Sequence, residues 1–353
     1  MTETTPDGST IRGTNPAATP VQGGAKDGAA PIYLVTGAAG YTGSFLVRHL
    51  ADEGVRVRAM VRSEAQAEAL AGLVDEVVMG DLAKPETLGP AVEGVAGIYH
   101  IAAVFRQAGV PDEVFREVNV EGTRRLFDAA IAAGVPRIVH CSTNGVHSHI
   151  ETPPADETYP FNPGDLYQET KLEGELIAME RFREGKITGV VIRPTMIWGP
   201  GDDRTGKLFR MIGKGRFFYV GEGRALTHWI DVRDLARAFR LAMESDVTAE
   251  AFLIGGRDYA PLREVADEIA RQMGVRPPWL KIPVGPMMTA AHGCEIVCKP
   301  FGIEPPLFRR RVAFFVKHRA YDISKAERML GFRPAQDLAG EIADIVGAMR
   351  APA

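Results

Sequence analysis

Downstream of residue 30 the chain alternates short apolar runs with amphipathic stretches. Apolar runs at 32–35, 55–61, 74–79, 97–102 and 137–141 predict strands, and the stretches at 44–53, 65–72, 85–92 and 114–133 between them predict helices. A sixth unit follows, a helix over 167–183 and then a strand over 189–193. Strands alternating with helices fold as a parallel sheet covered on both faces. The first, fourth and fifth runs are almost wholly apolar, as central strands of such a sheet are. The second alternates with arginine and predicts a less enclosed position. The expected fold class is α/β, a doubly wound parallel sheet with a smaller, mixed C-terminal part.

Beyond about residue 194 the rhythm loosens. Strand-like runs at 217–220 and 251–254 mix with helical patterns at 235–243 and 262–273, the region 277–306 is dense in proline, and a final helix is expected from about Ser324. Residues 1–30, rich in Thr, Gly, Pro and Ala, bury too little apolar surface to offset their ordering entropy and are expected to form a disordered tail.

Composition narrows the class. The 353 residues are 45% hydrophobic and 24% charged with a net charge of −4, which suits a globular chain and gives no reason to expect nucleic acid as partner. No apolar run approaches the roughly 20 residues a membrane span needs. Three cysteines are too few for a disulfide scaffold, and the first residues lack a signal-peptide pattern, so a cytoplasmic, reducing location is expected.

The densest chemical signal is Tyr33-Leu-Val-Thr-Gly37-Ala-Ala-Gly40-Tyr-Thr-Gly43-Ser. Three glycines at three-residue spacing leave a strand and open a helix. Gly37 permits the tight turn, Gly40 lets the backbone approach a pyrophosphate, and Gly43 allows close helix–strand packing. The helix N-terminus then offers free N–H groups to the anion. No Gly-Lys-Ser/Thr follows, which excludes a mononucleotide P-loop. The pattern predicts a Rossmann-type dinucleotide-binding domain over 31–194. Residues 195–353 are then mostly a substrate-binding region interleaved with the end of the sheet.

Cofactor choice is read at the end of the second strand. It finishes Met60-Val61-Arg62-Ser63, with no acid at its tip against a ribose 2′-OH. Arg62 suits a 2′-phosphate, which favours NADP, while Glu64 just beyond keeps NAD open. Asp81, ending the third strand, is placed to cap the adenine pocket.

Tyr167 and Lys171 lie at i and i+4 in Tyr-Gln-Glu-Thr-Lys, on one face of a predicted helix. A phenol of pKa about 10 needs roughly 4 kcal/mol of help to act as a base near neutrality, which a nearby ammonium and a cofactor cation can share. Such a phenol takes a proton from an alcohol or gives one to a ketone. The fifth strand exits through Cys141-Ser142-Thr143-Asn144-Gly145, so Thr143 or Ser142 can hydrogen-bond the substrate oxygen.

The glycine loop, the Ser-Thr pair, Tyr-Gln-Glu-Thr-Lys, Arg193-Pro194 with Trp198-Gly-Pro-Gly-Asp202, and Asp231-Val-Arg-Asp234 together resemble the extended short-chain dehydrogenase/reductase family, also called NAD-dependent epimerase/dehydratase. The resemblance runs in order from about residue 31 to 345. It implies that Tyr167 is the acid/base, that Lys171 binds the nicotinamide ribose, and that Thr143, aligned through Val146, is the third catalytic hydroxyl. Asn119 resembles the helix asparagine that holds the active-site end of the sheet. His147 stands where many relatives carry tyrosine. The cofactor positions implied are Gly37, Ala39, Gly40, Tyr41, Gly43, Arg62, Asp81, Leu82, Ala102, Ala103, Lys171 and Pro194.

Within that family the chain has Thr227-His228-Trp229 where sugar-nucleotide enzymes often carry Arg-Asp-Phe. Its tail, from Pro305 to Gly331-Phe332, resembles hydroxysteroid and sterol-4-carboxylate dehydrogenases. The expected activity is hydride transfer between NAD(P) and a secondary alcohol or ketone of a small molecule. The alternatives are an epimerase/dehydratase that retains NAD and a non-enzymatic dinucleotide sensor. Paired long helices at 114–133 and 167–183 make a homodimer plausible. Cys294 and Cys298 with His292 lack a fourth ligand and read as small hydrophobes rather than a metal site. Arg309, Arg310, Arg311, Lys317 and Arg319 read as a solvated face before an acidic-substrate or membrane contact.

Overall fold

The computed structural model describes residues 30–106, 109–298, 307 and 309–350, with the side chains of Arg310 and Arg311 left aside. The tail expected over 1–30 lies, except for Ala30, outside the described residues, as does 299–306 of the proline-dense region.

Seven parallel strands build the main sheet: β1 (Ile32–Thr36), β2 (Arg56–Val61), β3 (Glu76–Met79), β4 (Gly97–His100), β5 (Arg137–Cys141), β6 (Thr188–Pro194) and β10 (Glu250–Ile254). Their order is β10-β6-β5-β4-β1-β2-β3, so the direction of winding reverses between β1 and β4. In such sheets the crevice at that reversal, outside the carboxyl ends of the strands, receives the ligand. The fold is the doubly wound α/β class expected.

Helices cover both faces: α1 (Tyr41–Asp52), α2 (Glu64–Ala69), α3 (Leu88–Val92), α4 (Asp112–Arg116), α5 (Gly122–Ala132) and α6 (Leu166–Arg183). One layer packs Val35, Leu46, Val139 and Phe239, and the opposite layer packs Leu34, Ile98, Phe127 and Phe182. Alternate residues of one strand, Leu34 and Val35, thus serve opposite cores.

A three-stranded sheet, β11 (Tyr259–Pro261), β9 (Leu226–Asp231) and β7 (Met196–Trp198), and the pair β12 (Lys281–Ile282) with β8 (Tyr219–Val220) lie beyond it. They carry α7 (Asp203–Gly213), α8 (Val232–Glu244), α9 (Leu262–Met273), α10 (Val284–Cys298), α11 (Arg309–Val316), α12 (Ser324–Leu330) and α13 (Leu338–Arg350).

Three differences from the sequence-based expectations have local causes. The helix expected over 114–133 is interrupted by a π turn, Glu117–Glu121, which carries Asn119. Such turns re-aim side chains within a helix. The proline-dense region contains α10, because Pro283 precedes it and Pro286 sits in its first turn, where no backbone N–H is needed. The final helix is two helices: Gly331 ends α12 in the left-handed conformation at φ 66°, and Pro334 delays the next start.

Candidate active site

The glycine turn owes its shape to missing side chains. A Cβ on Gly43 would sit 2.0 Å from the Gly37 carbonyl oxygen, and one on Gly37, at φ +72°, would meet the Ala102 backbone nitrogen at 2.9 Å. The loop, the start of α1 and the exit of β4 are therefore in backbone contact. Gly40 caps α1 without a side-chain bond, and no acid lies in the helix's first turn. Its leading N–H groups face a cavity of about 650 Å³.

That cavity is lined by Gly37, Ala39, Gly40, Tyr41 and Gly43 from the loop, Arg62 beyond β2, Asp81 and Leu82 beyond β3, and Ala102 and Ala103 beyond β4. These are cofactor positions expected from the sequence, gathered around one cavity. Glu64 is not among them. Lys171 and Pro194, also expected to hold the cofactor, are buried and do not line it; Pro194 pairs with Ile254 in the main sheet. The glycine cradle, the bare helix N-terminus and a cavity of this size fit a dinucleotide.

The β4 wall is fixed from behind. Thr36 Oγ1 accepts from the Ile101 and Ala102 N–H groups at 3.1 and 3.2 Å and pairs with His100 Nδ1 at 2.9 Å. Thr123 donates to the Asn119 carbonyl, so His100 Nε2 donates to Thr123 at 3.1 Å. His100 is a neutral tautomer, its pKa pushed down to about 3 by burial and then by Lys171. Asn119 holds the next residues: its Oδ1 accepts from Val104 N–H at 2.8 Å, while its Nδ2 donates to Val104 O and to Thr170 on α6, each at 3.1 Å.

Tyr167 and Lys171 leave α6 one turn apart. Asp165 caps that helix, accepting from Gln168 N–H at 3.0 Å. Lys171 is buried and its Nζ donates to the Cys141 carbonyl at 2.6 Å, which sets the ammonium against the exit of β5. Two residues on, Thr143 Oγ1 accepts from Gly145 N–H at 3.1 Å, and Thr143 lines a second cavity of about 350 Å³.

Ser142 is a correction. It is buried and its hydroxyl donates to a Glu175 oxygen at 2.6 Å, so it is committed to the core. Glu175 in turn accepts from Arg193 Nε at 3.0 Å, and Arg193 Nη1 reaches His147 Nε2 at 3.2 Å. His147 Nδ1 donates to the Pro160 carbonyl at 3.2 Å, so its Nε2 is the acceptor toward Arg193. Burial and then Arg193 lower the His147 pKa to about 4. The unusual histidine is thus a neutral part of a buried polar chain behind the site.

Sequence reasoning missed the cover on Tyr167. The Phe105 ring meets its ring edge-on at 4.9 Å, and the Arg106 guanidinium lies 5.2 Å from its centroid. Arg106 is ion-paired to Asp165 at 2.7 Å and lines both cavities. Arg204, held by Asp202 at 3.0 Å, stands over Phe105 at 5.2 Å and Tyr41 at 5.7 Å. The phenol's pKa is raised, chiefly by burial, and the cations that oppose the rise are Arg106 and Arg204. Lys171, expected to lower it, is turned onto a carbonyl, and burial lowers its own pKa. Glu175 was within reach of sequence reasoning as the next i+4 position after Lys171. Phe105, Arg106 and Arg204 carried no such signal.

A strand–glycine turn–helix opening onto a crevice at the sheet's reversal point defines a dinucleotide-binding fold of the Rossmann class. The chain belongs to the NAD dependent epimerase/dehydratase family, which it matches over residues 33–255, and it is an enzyme of that family. It is 32% identical over 335 residues to sterol demethylase protein B of Methylococcus capsulatus, covering 90% of this chain and 98% of that one. It is also 32% identical over 318 residues to a 3 beta-hydroxysteroid dehydrogenase/Delta 5-->4-isomerase of Mycobacterium tuberculosis, covering 85% of each. The crystal structure of gox2253 superposes with a TM-score of 0.77 at 30% identity, covering 90% of this chain and 98% of that one. No helix among the described residues is long and apolar enough to cross a membrane.

Proposed function

We propose that this enzyme exchanges hydride between NADP and a secondary alcohol or ketone carbon of an apolar small molecule. The observation that carries the reading is the Lys171 ammonium fixed on the Cys141 carbonyl, with Tyr167 one helical turn before it and Thr143 two residues beyond that carbonyl. The similarity to an enzyme named for a hydroxysteroid supports an apolar alcohol as substrate.

In this reading the glycine turn and α1 hold the pyrophosphate, and Asp81 and Leu82 border the adenine. The bound cofactor supplies or accepts the hydride. Thr143 hydrogen-bonds the substrate oxygen, and Tyr167 gives that oxygen a proton in reduction or removes one in oxidation. Lys171, whose ammonium is held on the Cys141 carbonyl and off the cavity wall, would have to swing toward the ribose to hold it. A phenol kept neutral by burial is in the correct state to donate, so ketone reduction persists across neutral pH while alcohol oxidation rises toward alkaline pH. Phe105 and Arg106 cover the phenol and exclude water from it.

Tyr167→Phe is expected to lower turnover about 10²–10⁴-fold with cofactor binding intact; unchanged turnover removes Tyr167 from the mechanism. Mass spectrometry of the purified protein separates the modes of action. Retained NAD favours epimerisation or dehydration without net redox change. A site that accepts added NADPH and reduces ketones supports the proposal.

NADP is favoured because Arg62 lines the cavity while Glu64 does not. Arg62→Ala is expected to weaken NADPH at least tenfold with NADH little changed, as loss of a charge-assisted phosphate contact predicts; equal effects on both cofactors return the choice to NAD. We also propose a homodimer through the helices around α5 and α6, where Leu176 is 49% exposed. A monomeric mass in solution ends that reading.

A further inference from the structure

Three of the chain's eight histidines hold one short segment. Beyond α11, residues 317–321 run between the stretch 148–150 and the start of β9, and they bond to both. His318 N–H donates to His149 Nδ1 at 3.0 Å, and the His318 carbonyl accepts from Ile150 N–H at 3.0 Å. On the other side Leu226 N–H donates to His318 Nδ1 at 3.1 Å, and Arg319 N–H donates to the Leu226 carbonyl at 2.8 Å. Tyr321 N–H donates to His228 Nδ1 at 3.3 Å, while His228 Nε2 donates to the Gly256 carbonyl at 2.8 Å. The His149 and His318 rings stack at 5.7 Å, and His228 stacks on Tyr321 at 6.4 Å.

A backbone N–H usually meets a carbonyl, which does not titrate near neutrality; here three ring nitrogens take that part. Each must keep its lone pair, because a protonated imidazole is a donor at both nitrogens. His228 is buried, and burial lowers its pKa, with the Gly256 carbonyl and Asp258 acting against the fall. His149 is only partly buried. Burial lowers its pKa too; His318 and Lys317 across from it press the same way, and Glu151 on its own stretch opposes them. His149 is thus the acceptor that solvent protons reach first. Past it the backbone is held by carbonyls: Ala155 N–H donates to the Ala320 carbonyl at 3.0 Å, and Asp322 N–H to the Ala155 carbonyl at 2.8 Å. The segment matters because it is wall. Lys317, Arg319 and Tyr321 line the second cavity with Thr143, and Ser148, beside His149, lines it from the other side. Lys317 Nζ joins the two sides by donating to the Ser148 hydroxyl at 3.1 Å, and the Asp165 carboxylate also acts on Lys317.

We propose that residues 317–321 are an acid-released strap on the second cavity, clasped shut by the Nδ1 atoms of His149, His228 and His318. Protonation of His149 sets two donors face to face and parts residues 317–319 from 148–150, while Ala320–Asp322 stays bonded. A ring whose Nδ1 accepts in the folded protein binds its proton less tightly there than in the unfolded chain. Its contribution is complete above about pH 6.5 and is lost as the pH falls below that value. The strap works in the same way whatever reaction the site carries out.

Hydrogen–deuterium exchange on the full chain, read by mass spectrometry and divided by the intrinsic rate at each pH, tests the strap without turnover. Protection of the peptide containing 317–319 is expected to fall about tenfold between pH 7.5 and pH 5, as one titrating acceptor allows. Protection of the peptide containing β1 is expected to hold over the same range. His149→Asn puts an amide oxygen, which does not titrate, near the place of Nδ1, and its loss of protection is expected to stay under about threefold. His149→Ala removes the acceptor and is expected to leave 317–319 weakly protected at both pH values. A wild-type loss under threefold, an equal loss in His149→Asn, or β1 losing protection in step with 317–319 overturns the strap. Should His149→Asn fail to fold, the wild-type comparison of 317–319 with β1 decides in the same terms. None of these outcomes bears on hydride transfer, which the Tyr167→Phe turnover tests separately.

Discussion

The two cavities on either side of Arg106 are built in opposite ways. The larger takes its wall from strand exits in the first third of the chain, each a few residues long and each beside its neighbour in the sheet. The smaller joins the β5 exit, the turn before α6, and residues 313–321 on and beyond α11. In the first, backbone does the work: glycines, helix N–H groups and a threonine–histidine brace. In the second, side chains do it, with Arg106, Lys317 and Arg319 gathered around the Asp165 carboxylate. A phosphate-bearing cofactor is recognised by geometry that short motifs encode; a substrate is recognised by groups that only long-range packing brings together.

The sharpest way to break this contrast is at the glycine turn. Gly43→Ala puts a methyl group 2.0 Å from the Gly37 carbonyl oxygen, so the turn must open. Cofactor affinity is expected to fall at least a hundredfold by calorimetry, with the circular dichroism spectrum unchanged. A cofactor affinity within tenfold of wild type takes the glycine turn out of the cofactor site.

A second substitution probes what lies behind both. Glu175 and Arg193 form a buried ion pair that also takes the Ser142 hydroxyl. Glu175→Gln leaves the Arg193 charge uncompensated, and breaking such pairs costs about 3–5 kcal/mol. The expected result is a clear loss of melting temperature, followed by circular dichroism, with a smaller proportional loss in turnover. A melting temperature within a degree of wild type removes this network from the scaffold of the site.

The smallest effect concerns the far side of the C-terminal region. Glu341 Oε2 accepts from Trp198 Nε1 at 2.6 Å, and burial raises the carboxyl's pKa to about 8. A carboxyl raised in the folded state favours folding while protonated, so its contribution is complete below its unfolded value and is lost as pH rises through 8. Glu341→Gln keeps an acceptor for Trp198 without the charge. It is expected to raise the melting temperature by a few degrees at pH 8 and to change it little at pH 5. An equal change at both pH values refutes this assignment.

Much of the fold was legible before the structure. Strands β1 to β6 and the glycine turn follow from apolar runs and one spacing, because a strand buried on both faces must be apolar throughout. The three-stranded sheet was not, since β7 is three residues long and β9 mixes His228 and Asp231 into its buried face. At the site, Tyr167, Lys171 and Thr143 were named from sequence. Ser142 was named beside Thr143 and proved to face the core, because successive residues leaving a strand point to opposite sides.

The sequence by itself determined the alternating sheet and the turn at Gly37–Gly43, since both rest on periodicity and on the absence of a Cβ, which are local properties. Tertiary structure alone decided which charges are satisfied. Arg106 finds Asp165 and Arg193 finds Glu175. Ion pairing depends on distances between residues far apart in the chain, and no local pattern carries those distances.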